Sequence, residues 1–305
     1  MQLMMSNALW LLGAAGEGAG QVTTAPAGEA RATSLLMSLL AVGFCVAVVW
    51  AARRVVCPEK LLLRNTPRRP NNLHLGHVLV VFLGSILVQA LATVVLTIWY
   101  PMDDAAAAPW RPWLDYRPIV LVTLCGHVAM LGGSLTAAAL MFRWGLRRGA
   151  GLSGRHWLCD TARGVLGLLA IWPVCYAMLL LGRLFVPEPE VHVMLRALVA
   201  ASLPWRVAIA VSTIVLVPLA EELFFRGLVQ SMFRRWLGRP WLAMLLTAAI
   251  FALIHVPMWE AQGALLVLGL GLGYNYERTG RLLPAIVMHA AFNGVNVWLY
   301  LLGAS

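Results

Sequence analysis

The chain alternates long apolar runs with short polar breaks. Ser34 to Ala52, Leu75 to Trp99, Pro118 to Phe142 and Gly164 to Leu184 are four such runs. Each approaches or exceeds the roughly 20 apolar residues that a helix needs to cross a bilayer's hydrocarbon core. Val193 to Ser202 is shorter, carries Arg196, and fits a helix lying in the interface. Pro204 and Trp205 open a fifth run that passes through the adjacent carboxylates Glu221 and Glu222 and ends near a turn at Gly238. Trp241 to Val256, Ala261 to Tyr276 and Leu282 to Leu302 complete the pattern. It predicts an all-α, polytopic membrane protein with about eight transmembrane helices. Residues 1–33, whose second half is rich in Gly, Ala and Thr, read as a flexible lead-in. Residues 34–190 hold four transmembrane helices, and residues 191–305 form a core of four more.

Composition agrees: 61% of the 305 residues are hydrophobic and 12% charged, where soluble domains carry roughly 25% charged residues. A formal charge of +10 suggests nucleic acid until its distribution is read. With eight spans, 17 of the 23 Lys and Arg fall on loops after odd-numbered spans. That is the positive-inside asymmetry, and it makes the arginine-rich face cytoplasmic with both termini outside. The basic charge is thus a topology signal first and a contact for anionic lipids second, with no nucleic-acid partner. Trp50, Trp99, Trp144, Trp205, Trp236, Trp241 and Trp259 fall near span ends, as an aromatic belt requires. Cys45, Cys57, Cys125, Cys159 and Cys175 have no metal-ligand spacing and read as small apolar fillers.

Pro218-Leu-Ala-Glu221-Glu222-Leu-Phe-Phe-Arg226-Gly227 carries the candidate chemistry. Charged side chains are costly inside a bilayer and usually face a cavity and a partner. On a helix Glu222 and Arg226 share a face at i,i+4, and Glu221 points about 100° away, free for another role. Pro218 removes a backbone donor just before the carboxylates. Glu222 and His255 lie at similar residue offsets from Gly238, hence at one depth in antiparallel helices. His289 and Asn293 share a face one turn apart in the last run. A carboxylate and imidazoles converging in a partly dry cavity can deprotonate water, and amide and imidazole donors can meet an oxyanion. His74, His77, His127, His156 and His192 are assigned to span ends or loops without a direct role. Gln89 can reach the cavity, although nothing in the sequence holds it there. Gly269 and Gly273, one turn apart, read as a close-approach face for another helix.

EELFFRG (221–227), FALIH (251–255) and HAAFN (289–293) resemble the three signatures of the CPBP family, the CAAX-protease-like and bacteriocin-processing (Abi) intramembrane proteases. ERTGRLLPAIVMHAAFNG (277–294) resembles the last of these in full. The resemblance covers about residues 205 to 300. It implies an intramembrane endopeptidase acting on a membrane-associated protein or peptide. Glu221 would be the general base assisted by His255, His289 and Asn293 would polarise the scissile carbonyl, and Glu222 and Arg226 would orient the site. The family is often described as metalloproteases, and Glu221, His255 and His289 are residue types that Zn²⁺ accepts. No HExxH motif is present, so a metal-free and a metal-bound water both stay open. The short loops fit a bacterial inner-membrane member, and prenylated CAAX proteins are the family's eukaryotic substrates.

Two other classes use the same residue types. A transporter or proton pathway also needs intramembrane Glu, Arg and His, but calls for an inverted repeat or paired broken helices, and neither is visible. A non-catalytic scaffold or immunity protein of the same fold has no need of the complete Glu, His, His and Asn set.

Overall fold

The structure is a computed structural model that describes residues 27–56, 63, 66–67, 69–99, 116–186, 193–256 and 258–303. Nine main helices are described: α1 (Ala27–Val56), α2 (Leu75–Trp99), α3 (Tyr116–Met141), α4 (Trp157–Arg183), α5 (Val193–Ala200), α6 (Leu203–Leu237), α7 (Pro240–Leu253), α8 (Gln262–Thr279) and α9 (Leu283–Gly303). Among the described residues there is no strand, only an isolated bridge between Asn71 and Phe142. The chain is an all-helical, multi-pass integral membrane protein.

Among the described residues, six helices, α1 to α4, α6 and α9, are long and apolar enough to cross a membrane, where the apolar pattern suggests about eight. The difference lies in α7 and α8. At 14 residues, α7 extends about 21 Å, short of a roughly 30 Å hydrocarbon core. The apolar run continues to Val256, but the helix stops at Leu253. The 18 residues of α8 include four glycines, Asn275, Glu277 and Arg278, and much of its surface faces protein. The lead-in also ends early, since Ala27 to Thr33 already belong to α1. Residues 1–26, the acidic loop with Asp103, Asp104 and Asp115, the Pro187–Glu190 turn, Cys57 and His192 lie outside the described residues.

Packing brings distant parts of the chain together. α2 lies along α3, which itself lies against the middle of α6. α4 packs against α1, α8 and α9, and α7 lies along α8. The core between them buries Phe224, Phe225, Leu228, Phe251, Leu268 and Met288. Short α5 seats Met194, Ala197 and Leu198 against Val120, Ile209 and Val297, as expected of a helix too short to span.

Gly269 does what its spacing predicted. A Cβ there would stand 2.9 Å from the Ala248 Cβ and 3.0 Å from its Cα, so α7 and α8 touch backbone to backbone. Gly238 ends α6 at φ 66°, a left-handed turn that glycine adopts without a Cβ clash.

Two ion pairs on buried carboxylates tie the arginine-rich end together. Arg281 grips the fully buried Asp160 through Nε at 2.7 Å and Nη2 at 2.6 Å. Asp160 helps raise the Arg281 guanidinium pKa above its usual value, chiefly through that hydrogen bond. Arg69 donates to Glu277 at 2.9 Å and lies 3.8 Å over the Tyr276 ring. This fastens the segment before α2 to α8.

Candidate active site

α6 departs from regular α-helical winding on both sides of the glutamates. Ser212–Leu216 and Leu223–Gln230 are π-helical, and the α-helical stretch Val217–Glu222 lies between them. Such wider turns are uncommon and frequent at functional sites. The first has a cause legible in the chain. Val217 N–H bonds the Ser212 carbonyl, five residues back. The next donor in that register would be Pro218, which has no N–H. The Thr213 carbonyl is thereby left over, and Asn293 Nδ2 of α9 donates to it at 2.8 Å. Pro218 and Asn293 are thus coupled, and Asn293 keeps a second amide hydrogen for another acceptor.

Glu222 and Arg226 are fully buried and paired at 2.8 Å. Arg226 Nη2 also donates to the Gly269 carbonyl at 3.2 Å. Its guanidinium stands 4.8 Å from the Phe251 ring centroid, a favourable cation–π distance. The same Glu222 oxygen accepts from His289 Nδ1 at 2.8 Å. A carboxylate offers acceptors only, so Nδ1 carries the hydrogen, and Nε2 points onward. It meets Glu221 Oε2 at 3.9 Å. His289 therefore joins the two adjacent glutamates, although they leave the helix in different directions. Arg226–Glu222–His289–Glu221 is one continuous chain of polar contacts.

His255 is placed differently. It lies in the turn beyond α7 rather than within a helix, half-buried, with Nδ1 donating to the Phe251 carbonyl at 2.6 Å. Phe251 packs against both imidazoles, at 4.7 Å from the His255 ring and 5.7 Å from the His289 ring. His255 is within electrostatic reach of Glu221 but stands apart from the Arg226–Glu222–His289 hydrogen bonds. Among the described residues, no three His, Cys, Asp or Glu side chains lie close enough together to hold a metal ion. Glu221, His255 and His289 do not fit one in this arrangement.

His127, assigned no direct role from the sequence, sits in the middle of α3 rather than at a span end, with its Nε2 3.6 Å from Glu221 Oε1. Nothing local in the sequence reveals this, because an isolated histidine in an apolar run reads as packing until α3 is laid against α6. Gln89 touches α3 rather than the glutamates: its side chain lies where a Cβ on Gly126 would stand.

Two carboxylates against one guanidinium leave the cluster one negative charge in excess. Burying an unbalanced charge is costly, and the rings of His289 and His127 are the groups that face it at Glu221. The arrangement offers a buried acid and a flanking imidazole at Glu221 Oε2, an oxygen that makes no hydrogen bond among the described residues, with the Asn293 amide, on the same helix as His289, held at the Thr213 carbonyl.

Residues 203–295 match the family model described as Type II CAAX prenyl endopeptidase Rce1-like. Comparison with curated proteins and with solved structures gave no match. The matched residues contain all of α6 to α8, the first half of α9 and every site residue above except His127, and they agree with the family that the three sequence motifs resemble. From α6 into α9, over residues 203–295, the chain is thus similar to the Rce1-like type II CAAX prenyl endopeptidase family.

Proposed function

We propose that the protein is an intramembrane endopeptidase that hydrolyses a peptide bond of a membrane-associated protein or peptide through a water activated by Glu221. The observation that carries this reading is the 3.9 Å separation of Glu221 Oε2 from His289 Nε2. One water molecule can hydrogen-bond to both atoms at that spacing. Glu221 takes a proton from the water, and the water oxygen attacks the carbonyl carbon. The oxyanion that forms is met by the remaining amide hydrogen of Asn293, and by His289 Nε2–H when that ring is an imidazolium. As the C–N bond breaks, the proton on Glu221 passes to the departing nitrogen. His255, behind Phe251, assists Glu221 electrostatically. Glu222 and Arg226 hold His289 by its Nδ1–H.

No step in this scheme passes through a metal. The family description directs the first substrates to be tried to prenylated CAAX peptides. The same reading puts the arginine-rich helix ends at the cytoplasmic leaflet, where anionic lipids meet them.

The test uses purified protein in detergent and internally quenched peptides with and without a prenylated CAAX terminus. Glu221→Gln keeps shape and hydrogen bonding but cannot accept the proton. It is expected to lower kcat by roughly 10²–10⁴-fold, the usual contribution of a general base, with folding retained. Cleavage at the wild-type rate in Glu221→Gln overturns the reading.

A further inference from the structure

We propose that His127, on α3 and outside the residues that match the family model, is a positioning residue for Glu221, so that the N-terminal helices complete the site. The inference rests on the hydrolytic reading above and adds to it a second point of support for the base.

The geometry is specific at both ring nitrogens. His127 Nδ1 stands 2.8 Å from the Thr123 carbonyl, one turn earlier on α3. A carbonyl only accepts, so Nδ1 carries a hydrogen, and the tautomer is set by the helix's own backbone. Nε2 then points at Glu221 Oε1, 3.6 Å away. A bare lone pair at Nε2 facing a carboxylate oxygen would repel it. The contact is attractive when Nε2 carries a hydrogen too and points it at Oε1, which leaves Glu221 a carboxylate, as its role as base requires. The ring is 17% exposed and the glutamate side chain 10%, so little solvent screens the pair.

The two oxygens of Glu221 consequently have different neighbours: Oε1 faces His127, and Oε2 faces His289. Holding Oε1 fixes the rotation of the carboxylate about its last bond and presents Oε2 to the water. The proton at His127 is not consumed. The proton removed from the water travels through Oε2 to the leaving nitrogen, and the His127 proton stays on Nε2 throughout, so the carboxyl never holds more than one proton. The packing of α3 supports a set ring position. Gly126 admits the Gln89 side chain from α2 at the preceding residue, and a buried Met130 follows one turn later.

A packing role and a positioning role predict different kinetics. The experiment compares His127→Phe, which keeps bulk and removes both ring nitrogens, with His127→Gln, which retains an N–H donor. Both are assayed beside Glu221→Gln on a quenched prenylated CAAX peptide, with melting temperature measured in the same detergent. The positioning role predicts a kcat at least tenfold lower for His127→Phe with KM within twofold, and recovery in His127→Gln to within about threefold of wild type. Equal losses in both variants with a lowered melting temperature mean that the ring only fills space, which overturns the proposal. Wild-type kcat in His127→Phe while Glu221→Gln is inactive also overturns it and leaves the hydrolytic reading standing. Wild-type cleavage by Glu221→Gln removes that reading and this inference together. If His127→Phe does not fold, His127→Leu takes its place in the same comparison.

Discussion

The Glu222–Arg226 pair allows a double-mutant test of how the site is held. Both side chains are fully buried and 2.8 Å apart. At an effective dielectric of about 20, two charges at that distance attract by about 6 kcal/mol. Withdrawing each from water costs several kcal/mol, so the intact pair stabilises the fold little in net terms. Removing one partner is another matter. Arg226→Met leaves Glu222 charged in a dry core, and Glu222→Gln leaves Arg226 with the Gly269 carbonyl and the Phe251 face. Each single change should cost about 3–5 kcal/mol, the usual penalty for a stranded buried charge. The double variant strands no charge and should cost less than the sum by at least about 2 kcal/mol. Unfolding by added denaturing detergent in mixed micelles, followed through the 13 tryptophans, reads all four proteins. The amide that Glu222→Gln introduces still accepts from His289 Nδ1, so that link to α9 survives the substitution. Additive single and double variants, or an Arg226→Met cost below about 1 kcal/mol, would refute the reasoning.

Two further changes probe the scaffold. Gly269→Ala drives a methyl into Ala248 across the α7–α8 contact and should destabilise by about 1–3 kcal/mol. Gly84→Ala, where a Cβ meets nothing within 4 Å, should leave the melting temperature unchanged in the same assay. Asp160→Asn removes the charge that Arg281 grips with two hydrogen bonds. With Arg281 22% exposed, solvent relieves part of the loss, and a cost of about 2 kcal/mol is expected by denaturing-detergent titration, with the Asp160→Asn/Arg281→Met double variant costing less than the sum.

Several features of the site can be read along the chain because they depend on spacing within one element. Glu222 and Arg226 pair because four residues make one helical turn, and Gly269 admits α7 because a missing Cβ is written in the residue itself. Pro218 marks the disturbed turn before the glutamates for the same local reason. The reading fails where length alone does not settle a helix's environment. α7 is as apolar as a span yet only 14 residues long, and α8 owes its place to neighbours that cover its polar end. His255 falls beyond a helix that the apolar pattern carries through to Val256, because hydrophobicity continues where winding stops.

The linear order of residues determined that this is a multi-pass helical membrane protein, that its candidate chemistry lies from Glu221 onward, and which pairs one turn apart would meet. Helical periodicity and the cost of apolar surface in water are local quantities, so a one-dimensional pattern carries them. Tertiary structure alone decided that His289 reaches both glutamates, that Phe251 packs against two imidazoles, and that a histidine from the third helix faces the proposed base. Those relations depend on the rotation and depth at which separate helices pack, and side-chain shapes across the whole bundle set both.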